Sequence, residues 1–241
     1  MTVTLITGAN KGLGHETARR LIAAGHTVYL GSRDAGRGRA AAEELGARFV
    51  QLDVTDDASV TAAAKTIEQA GDGLDVLVNN AGIALDGTHA PDGSRSLVPV
   101  DELTADMVRE TFETNVFGLV RVTHAFLPLL KRSAAPVIVN VSSGLASLAH
   151  ASTPGNPVHD YPAAAYPTSK TAVNMLTVQY AKSLPAFRIN AVEPGFTATD
   201  INQHAGHQTV EQGVEIIVRM ARVAPDGPTG TYSDANGILP W

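Results

Sequence analysis

Short runs of β-branched and aliphatic residues alternate with longer stretches of helical spacing along the whole chain. The runs Val3–Thr7, Thr27–Gly31, Arg48–Leu52, Asp75–Val78, Pro136–Val141, Phe187–Val192 and Thr229–Tyr232 predict strands. Helices are predicted over Leu13–Ala24, Ala35–Leu45, about Asp57–Ala70, Ala164–Ser183 and Val210–Ala221. Glu102–Thr114 and Val116–Leu130 read as one bent helix or two. The strands are near-continuous apolar runs, as expected where both faces of a sheet are covered. Strand-helix alternation of this kind implies right-handed crossovers, and therefore an α/β fold with a doubly wound parallel sheet and helices on both faces. No repeat or linker divides the chain, so residues 1–241 are expected to form one domain. Two irregular segments interrupt the pattern, Asp86–Pro99 and Leu148–Pro162, and long irregular segments in compact domains are often functional.

Composition narrows the picture. Apolar residues make up 44% and charged residues 17% of 241 residues, the balance of a globular chain. There is no cysteine, which excludes disulfides, thiolate metal sites and a cysteine nucleophile. The net charge of −6 and the absence of a basic block argue against nucleic acid as a partner. No apolar run approaches the ~18 residues of a membrane span, and MTVTLITGAN carries no targeting pattern, so a cytoplasmic protein is expected.

Chemistry enters at the first strand-to-helix junction, Thr7-Gly8-Ala9-Asn10-Lys11-Gly12-Leu13-Gly14. Glycine lets the backbone approach a ligand, and the helix behind the loop offers unpaired N–H groups suited to a pyrophosphate. The spacing Gly-x-x-x-Gly-x-Gly differs from the usual dinucleotide fingerprint. The second strand ends Leu30-Gly31-Ser32-Arg33, with no carboxylate before Asp34. Arg33 suits a 2′-phosphate, and Lys11 adds a cation nearby, so NADP(H) is expected over NAD(H).

Further on, Tyr166 and Lys170 stand four residues apart at the start of a helix, which places them on one face. A nearby ammonium favours the phenolate and makes a tyrosine usable as a general acid or base. Ser142-Ser143 follows the strand Val137–Val141, where a hydroxyl can polarise a substrate carbonyl.

Taken together, these motifs resemble the short-chain dehydrogenase/reductase family over essentially the whole chain. They run in the family's order: Thr7-Gly8-x-x-x-Gly12-x-Gly14, Asp53-Val54, Asn79-Asn80-Ala81-Gly82, Asn115, Ser143, Tyr166 with Lys170, and Pro194-Gly195 with Thr199. Lys11, Ser32-Arg33-Asp34 and Gly227-Pro228-Thr229-Gly230 look like the carbonyl-reductase-like branch. The resemblance implies a Rossmann-like sheet of about seven strands in the order 3-2-1-4-5-6-7. It implies Tyr166 as acid/base and as a cofactor contact, Lys170 as the group that lowers its pKa and binds the nicotinamide ribose, and Ser143 as the group that orients the carbonyl. Asn115, at a bend in its helix, would hold a water next to Lys170. Gly8, Asn10, Lys11, Gly12, Leu13, Gly14 and Arg33 would hold the cofactor's phosphates. Asp53 and Val54 would meet its adenine end, and Asn80, Ala81 and Gly82 would line its floor. Pro194 and Gly195 would shape the loop by the nicotinamide, and Thr197 or Thr199 would meet its carboxamide or the phosphates.

Ser143 and Tyr166 are 23 residues apart, roughly ten more than in most of the family, so an insertion falls within Leu148–Ala165. With 86–99 and 196–209 it is expected to wall the substrate pocket. The mixture there of Leu148, Tyr161, Phe196 and Ile201 with His150, His159 and His204 suits a neutral carbonyl compound. Tyr161 lacks a lysine four residues on, so it reads as pocket wall rather than catalytic phenol. His204-x-x-His207 reads as part of a lid rather than a metal site, since no third ligand is apparent. A homodimer built on the helices of 102–131 and 164–183 is expected.

The expected activity is NADPH-dependent reduction of an aldehyde or ketone, reversible as alcohol oxidation. An NAD-linked dehydrogenase of a sugar or steroid alcohol is the second reading. A non-catalytic NADP(H)-sensing protein is the third, and the presence of Ser143, Tyr166, Lys170 and Asn115 together weighs against it.

Overall fold

The computed structural model describes residues 1–89 and 95–241. Its central sheet has seven strands, all parallel, in the order β3-β2-β1-β4-β7-β8-β9. The strands are β1 (Val3–Ile6), β2 (Thr27–Ser32), β3 (Arg48–Gln51), β4 (Val76–Asn79), β7 (Val137–Val141), β8 (Arg188–Val192) and β9 (Tyr232–Ser233). Strands β5 (Gly87–His89) and β6 (Arg95–Leu97) form a separate antiparallel pair. Within the large sheet the order is therefore 3-2-1-4-5-6-7, as expected. The helices are α1 (Gly12–Ala23), α2 (Ala35–Leu45), α3 (Asp57–Ala70), α4 (Ala105–Phe112), α5 (Gly118–Leu130), α6 (Leu148–Ala151), α7 (Ala165–Ser183) and α8 (Val210–Ala221).

Strand alternation divides the core in two. Ile6, Val76, Val78, Val137 and Val139 point to the face packed by α1, α2 and α8, with Leu21, Val214 and Ile217. Val3, Leu5, Leu77, Ile138 and Ile189 point to the opposite face, with Ile67, Phe126 and Leu130 from α3 and α5. Each such side chain withdrawn from water contributes roughly 1.5–3 kcal/mol. Helix α5 lies unusually close to the turn after β3, because a Cβ on Gly118 would sit 2.8 Å from Val54 Cγ2.

Local chemistry sets the helix ends. Asp34 and Asp56 cap α2 and α3 by accepting from Arg37 N and Ala58 N. Gly46 and Gly71 end those helices in the left-handed conformation that glycine tolerates. The stretch read as one helix or two is continuous and bent: a π turn over Glu113–Phe117 joins α4 to α5, with the buried Asn115 at its centre.

Three segments depart from expectation. Much of 86–99 is regular, because Gly87 pairs with Leu97 and His89 with Arg95; residues 90–94 of that expected pocket wall lie outside the described residues. In 148–162, α6 occupies the first turn. The last strand begins at Tyr232, not Thr229: Gly230 is left-handed, and Thr231 is held through its amide and hydroxyl by the Asn190 side chain.

Candidate active site

The glycine loop leaves β1 at the carboxyl edge of the sheet and enters α1. Gly8 and Gly12 have φ of +63° and +57°, which residues with a Cβ rarely adopt. At Gly14 a Cβ would stand 2.6 Å from Asn80 Nδ2 and 2.8 Å from Ala9 Cα. The loop is braced from the residue after β4, Asn80, whose side-chain amide donates to Thr7 O (2.8 Å) and Gly8 O (3.1 Å). Asn80 N and Ala81 N both donate to Thr7 Oγ1. Asn80 thus shapes the expected cofactor floor by holding the loop. The side chain of Leu13 packs on the core, which leaves its backbone for a ligand. Lys11, the residue ahead of α1, provides no side-chain cap. First-turn amides of a helix have no partner within the helix, so this cradle fits a pyrophosphate.

At the end of β2, Arg33 is exposed and makes no salt bridge among the described residues. The carboxylate of Asp34 is bonded to Arg37 through N and Nε, which holds it below the usual carboxylate range. Lys11 Nζ lies 2.5 Å from Asp200 Oδ2, and His204 Nε2 lies 2.9 Å from the other oxygen of that carboxylate. The lysine expected to face a phosphate is thus drawn toward the 196–209 segment. His207 packs against Phe196, with ring centroids 5.8 Å apart. Asp53 Oδ1 accepts from Thr55 N and Oγ1, while the Val54 carbonyl accepts from Arg121.

After β8, Pro194 and the left-handed Gly195 are fixed by Gln208, whose Nε2 donates to Pro194 O. Thr197 is buried, with its hydroxyl turned onto the Pro194 and Gly195 carbonyls. Thr199 instead lies over the glycine loop, its Cγ2 being 3.7 Å from where a Gly12 Cβ would stand. Of the two threonines, Thr199 is the one placed toward the phosphate cradle.

The expected reacting groups converge beside this loop. Ser142 turns inward to Asn174 Oδ1 (2.7 Å), while Ser143 Oγ accepts from Leu145 N and favours the charged form of the Tyr166 phenol. Lys170 Nζ lies 5.6 Å from the Tyr166 ring centroid and donates to Val141 O at 2.8 Å. Burial pushes the Tyr166 phenol well above its ordinary value; the Ser143 hydroxyl pulls the other way, and Tyr161, Glu193 and Asp86 add to the rise. Burial lowers Lys170 to about 8. The lysine's expected depression of the phenol is therefore outweighed in the protein alone, because desolvation acts on both groups.

Asn115 joins α7, at Ser169 just before Lys170, to the chain leaving β4. Its Oδ1 accepts from Ile83 N and its Nδ2 donates to Ile83 O, each at 2.9 Å, with Ser169 Oγ at 3.0 Å. A Cβ on Gly82 would stand 3.4 Å from both Asn115 Oδ1 and Lys170 Nζ. A cavity of about 10 Å³ is lined by Asn79, Thr114, Asn115 and Lys170, among others. Asn79 Oδ1, buried, has no hydrogen-bond partner among the described residues.

Three residues around this centre escaped the sequence reading. The buried Asp86 accepts from Ala165 N and Tyr166 N, both at 2.8 Å. Nothing local signals that contact, which spans about eighty residues. Glu193 leans on Gly144; burial raises its carboxyl, and the Gly144 and Gly195 amides oppose that rise. A carboxylate at the end of an apolar strand beside Pro194-Gly195 was a readable signal. Tyr232 donates to Ser143 O at 2.6 Å and stacks on Trp241.

Comparisons with known proteins agree with this geometry. The family model described as short chain dehydrogenase matches residues 2–210. "Short-chain dehydrogenase/reductase 1" of Saponaria officinalis is 33% identical over 289 aligned positions, covering 98% of this chain and 95% of the relative. (+)-Neomenthol dehydrogenase of Arabidopsis thaliana is 33% identical, covering 95% of this chain and 94% of the relative. The solved structure of salutaridine reductase from Papaver somniferum superposes with a TM-score of 0.83 at 30% identity, covering 96% of this chain and 99% of that one. The chain belongs to the short-chain dehydrogenase family, oxidoreductases that use nicotinamide cofactors. The carbonyl-reductase-like branch fits it.

Proposed function

We propose that this protein is an NADPH-dependent reductase of a neutral ketone or aldehyde, reversible as an alcohol dehydrogenase. The observation that carries the reading is the Ser143–Tyr166 hydroxyl pair beside the buried Lys170, at the carboxyl edge of a parallel sheet and next to a glycine cradle. In this reading Ser143 orients the substrate oxygen. Tyr166 gives that oxygen its proton as the carbonyl carbon is reduced, and takes it back in the reverse direction. The nicotinamide cofactor supplies or accepts the hydride and, when oxidised, adds a positive charge that favours the phenolate. Lys170, titrating at about 8, is mostly charged at neutral pH and would return a proton to the phenolate. The cavity against Lys170 and Asn115 is about the size of one water, and Asn79 Oδ1 offers that water a partner.

The preference for the phosphorylated cofactor is supported at the end of β2. Asp34 is committed to Arg37, while Arg33 remains exposed. The substrate class is supported by the 148–165 and 196–209 segments, which contain neither lysine nor arginine to hold an anionic substrate. Likeness to a neomenthol dehydrogenase and a salutaridine reductase points the same way.

The test is loss of NADPH and NADH absorbance with a panel of aldehydes and ketones, alongside dissociation constants for both cofactors. NADPH is expected to bind more tightly and to turn over. Tyr166→Phe is expected to lower kcat by roughly 10²–10⁴-fold while leaving cofactor binding within about threefold. Tighter NADH binding overturns the cofactor assignment, and turnover that survives Tyr166→Phe overturns the chemistry.

A further inference from the structure

The geometry points to Asp86 as a positioning residue that sets the catalytic phenol through the backbone of its own helix. The inference rests on the proposed role of Tyr166. Helix α7 has no side-chain cap of its own, because the residue ahead of it is Ala164. Its first two amides instead bond the two oxygens of one carboxylate: Oδ1 accepts from Ala165 N and Oδ2 from Tyr166 N. Asp86 is 1% exposed, so little water competes for these bonds. A carboxylate at a helix N-terminus is favoured by the unpaired amides and the helix dipole together.

What makes this more than a cap is where the carboxylate comes from. Asp86 O accepts from Val98 N at 2.8 Å, which closes the neck of the β5–β6 hairpin. Three residues earlier, Ile83 is clamped by Asn115, and Gly82 lies against Lys170. The segment leaving β4 thus meets Lys170, Asn115 and the backbone of Tyr166 in succession. A change in the hairpin that pulled on Asp86 would move the backbone of Tyr166 directly. The carboxylate also bears on the phenol's charge, since a negative group at this place opposes the phenolate.

The test compares Asp86→Asn and Asp86→Glu with the parent protein. Asparagine has one oxygen for two amides and no charge. D86N is expected to speed hydrogen exchange of the 165–166 amides at least about tenfold and to lower kcat about 10–100-fold, with the cofactor KM within about threefold. The alkaline limb of the reduction profile is expected to move about 0.5–1 pH unit toward acid, and the rising limb of alcohol oxidation to move with it. D86E keeps the charge and displaces it, so kcat is expected to fall with the limbs in place. Unchanged amide exchange in D86N overturns the proposal, as do faster exchange with an unmoved limb or a D86E profile that shifts like that of D86N. Turnover that survives Tyr166→Phe overturns the proposed function instead. Amide exchange, which needs no turnover, then still decides whether Asp86 holds the helix.

Discussion

Burial raises the energy of the charged form of both Tyr166 and Lys170, and for Lys170 this makes a measurable prediction. On unfolding the ammonium returns to its ordinary value of 10.5, whereas in the fold it titrates at about 8. Between those values the folded chain binds fewer protons than the unfolded one, so this residue's contribution to stability rises with pH across that window. Below about 8 the buried charge carries its full cost. Lys170→Met is therefore expected to abolish turnover and yet to melt a few degrees above the parent at pH 7. The gap should close as the pH is raised from about 8 toward 10.5. Thermal melts of the two proteins at pH 7, 9 and 10 check this, and a gap that widens with pH sinks it.

At the same scale, legibility followed locality. Ser143, Tyr166 and Lys170 could be read because each stands at a fixed offset from a strand end or from another functional residue. Asp86 could not, because its partners are the amides of Ala165 and Tyr166, and a backbone amide leaves no mark in a sequence. Tyr232 was visible only as part of a strand, and its hydroxyl's bond to Ser143 O depends on how the strand ends turn.

Among the elements, the 196–209 segment is latched to the glycine loop by an ion pair between exposed groups. Lys11 holds Asp200 well below its usual range, and His204 assists. In the proposed reading, a cofactor phosphate at the loop would compete with Asp200 for that ammonium. Asp200→Asn is expected to tighten NADPH binding about 3–10-fold at low salt, with the gain largely gone at 0.5 M salt as screening removes the attraction. Unchanged or weaker binding in titrations at the two ionic strengths refutes the latch. Element boundaries were legible where a cap fixed them, as at Asp34 with Gly46 and Asp56 with Gly71. The β5–β6 hairpin was missed because Gly87-Thr88-His89 and Arg95-Ser96-Leu97 show no apolar alternation to mark a strand. The π turn was foreseen only as a bend, since a widened turn leaves the apolar spacing on either side intact.

For the molecule as a whole, the topology could be read because seven buried parallel strands each need an apolar run, and the crossovers then leave few choices. Association could not be read this way. We propose a homodimer through the bent helix of α4, the π turn and α5 together with α7, where Phe117 of the π turn and Met175 of α7 stand about half exposed. Light scattering should return twice the chain mass, and Phe117→Asp should return a monomer; a monomeric parent protein at working concentration ends the idea. The alignment to the Saponaria relative runs over more positions than this chain has residues, so that relative carries segments absent here.

The bond from Tyr232 to the Ser143 carbonyl ties the site to a distant stretch of the chain. The same stretch also reaches back to the residues after Ser143: Trp241 O accepts from Ala149 N, and Pro240 O accepts from Ser147 Oγ. The seat of Ser143 is thus set by residues some ninety positions further along the chain, outside the five inner strands of the sheet.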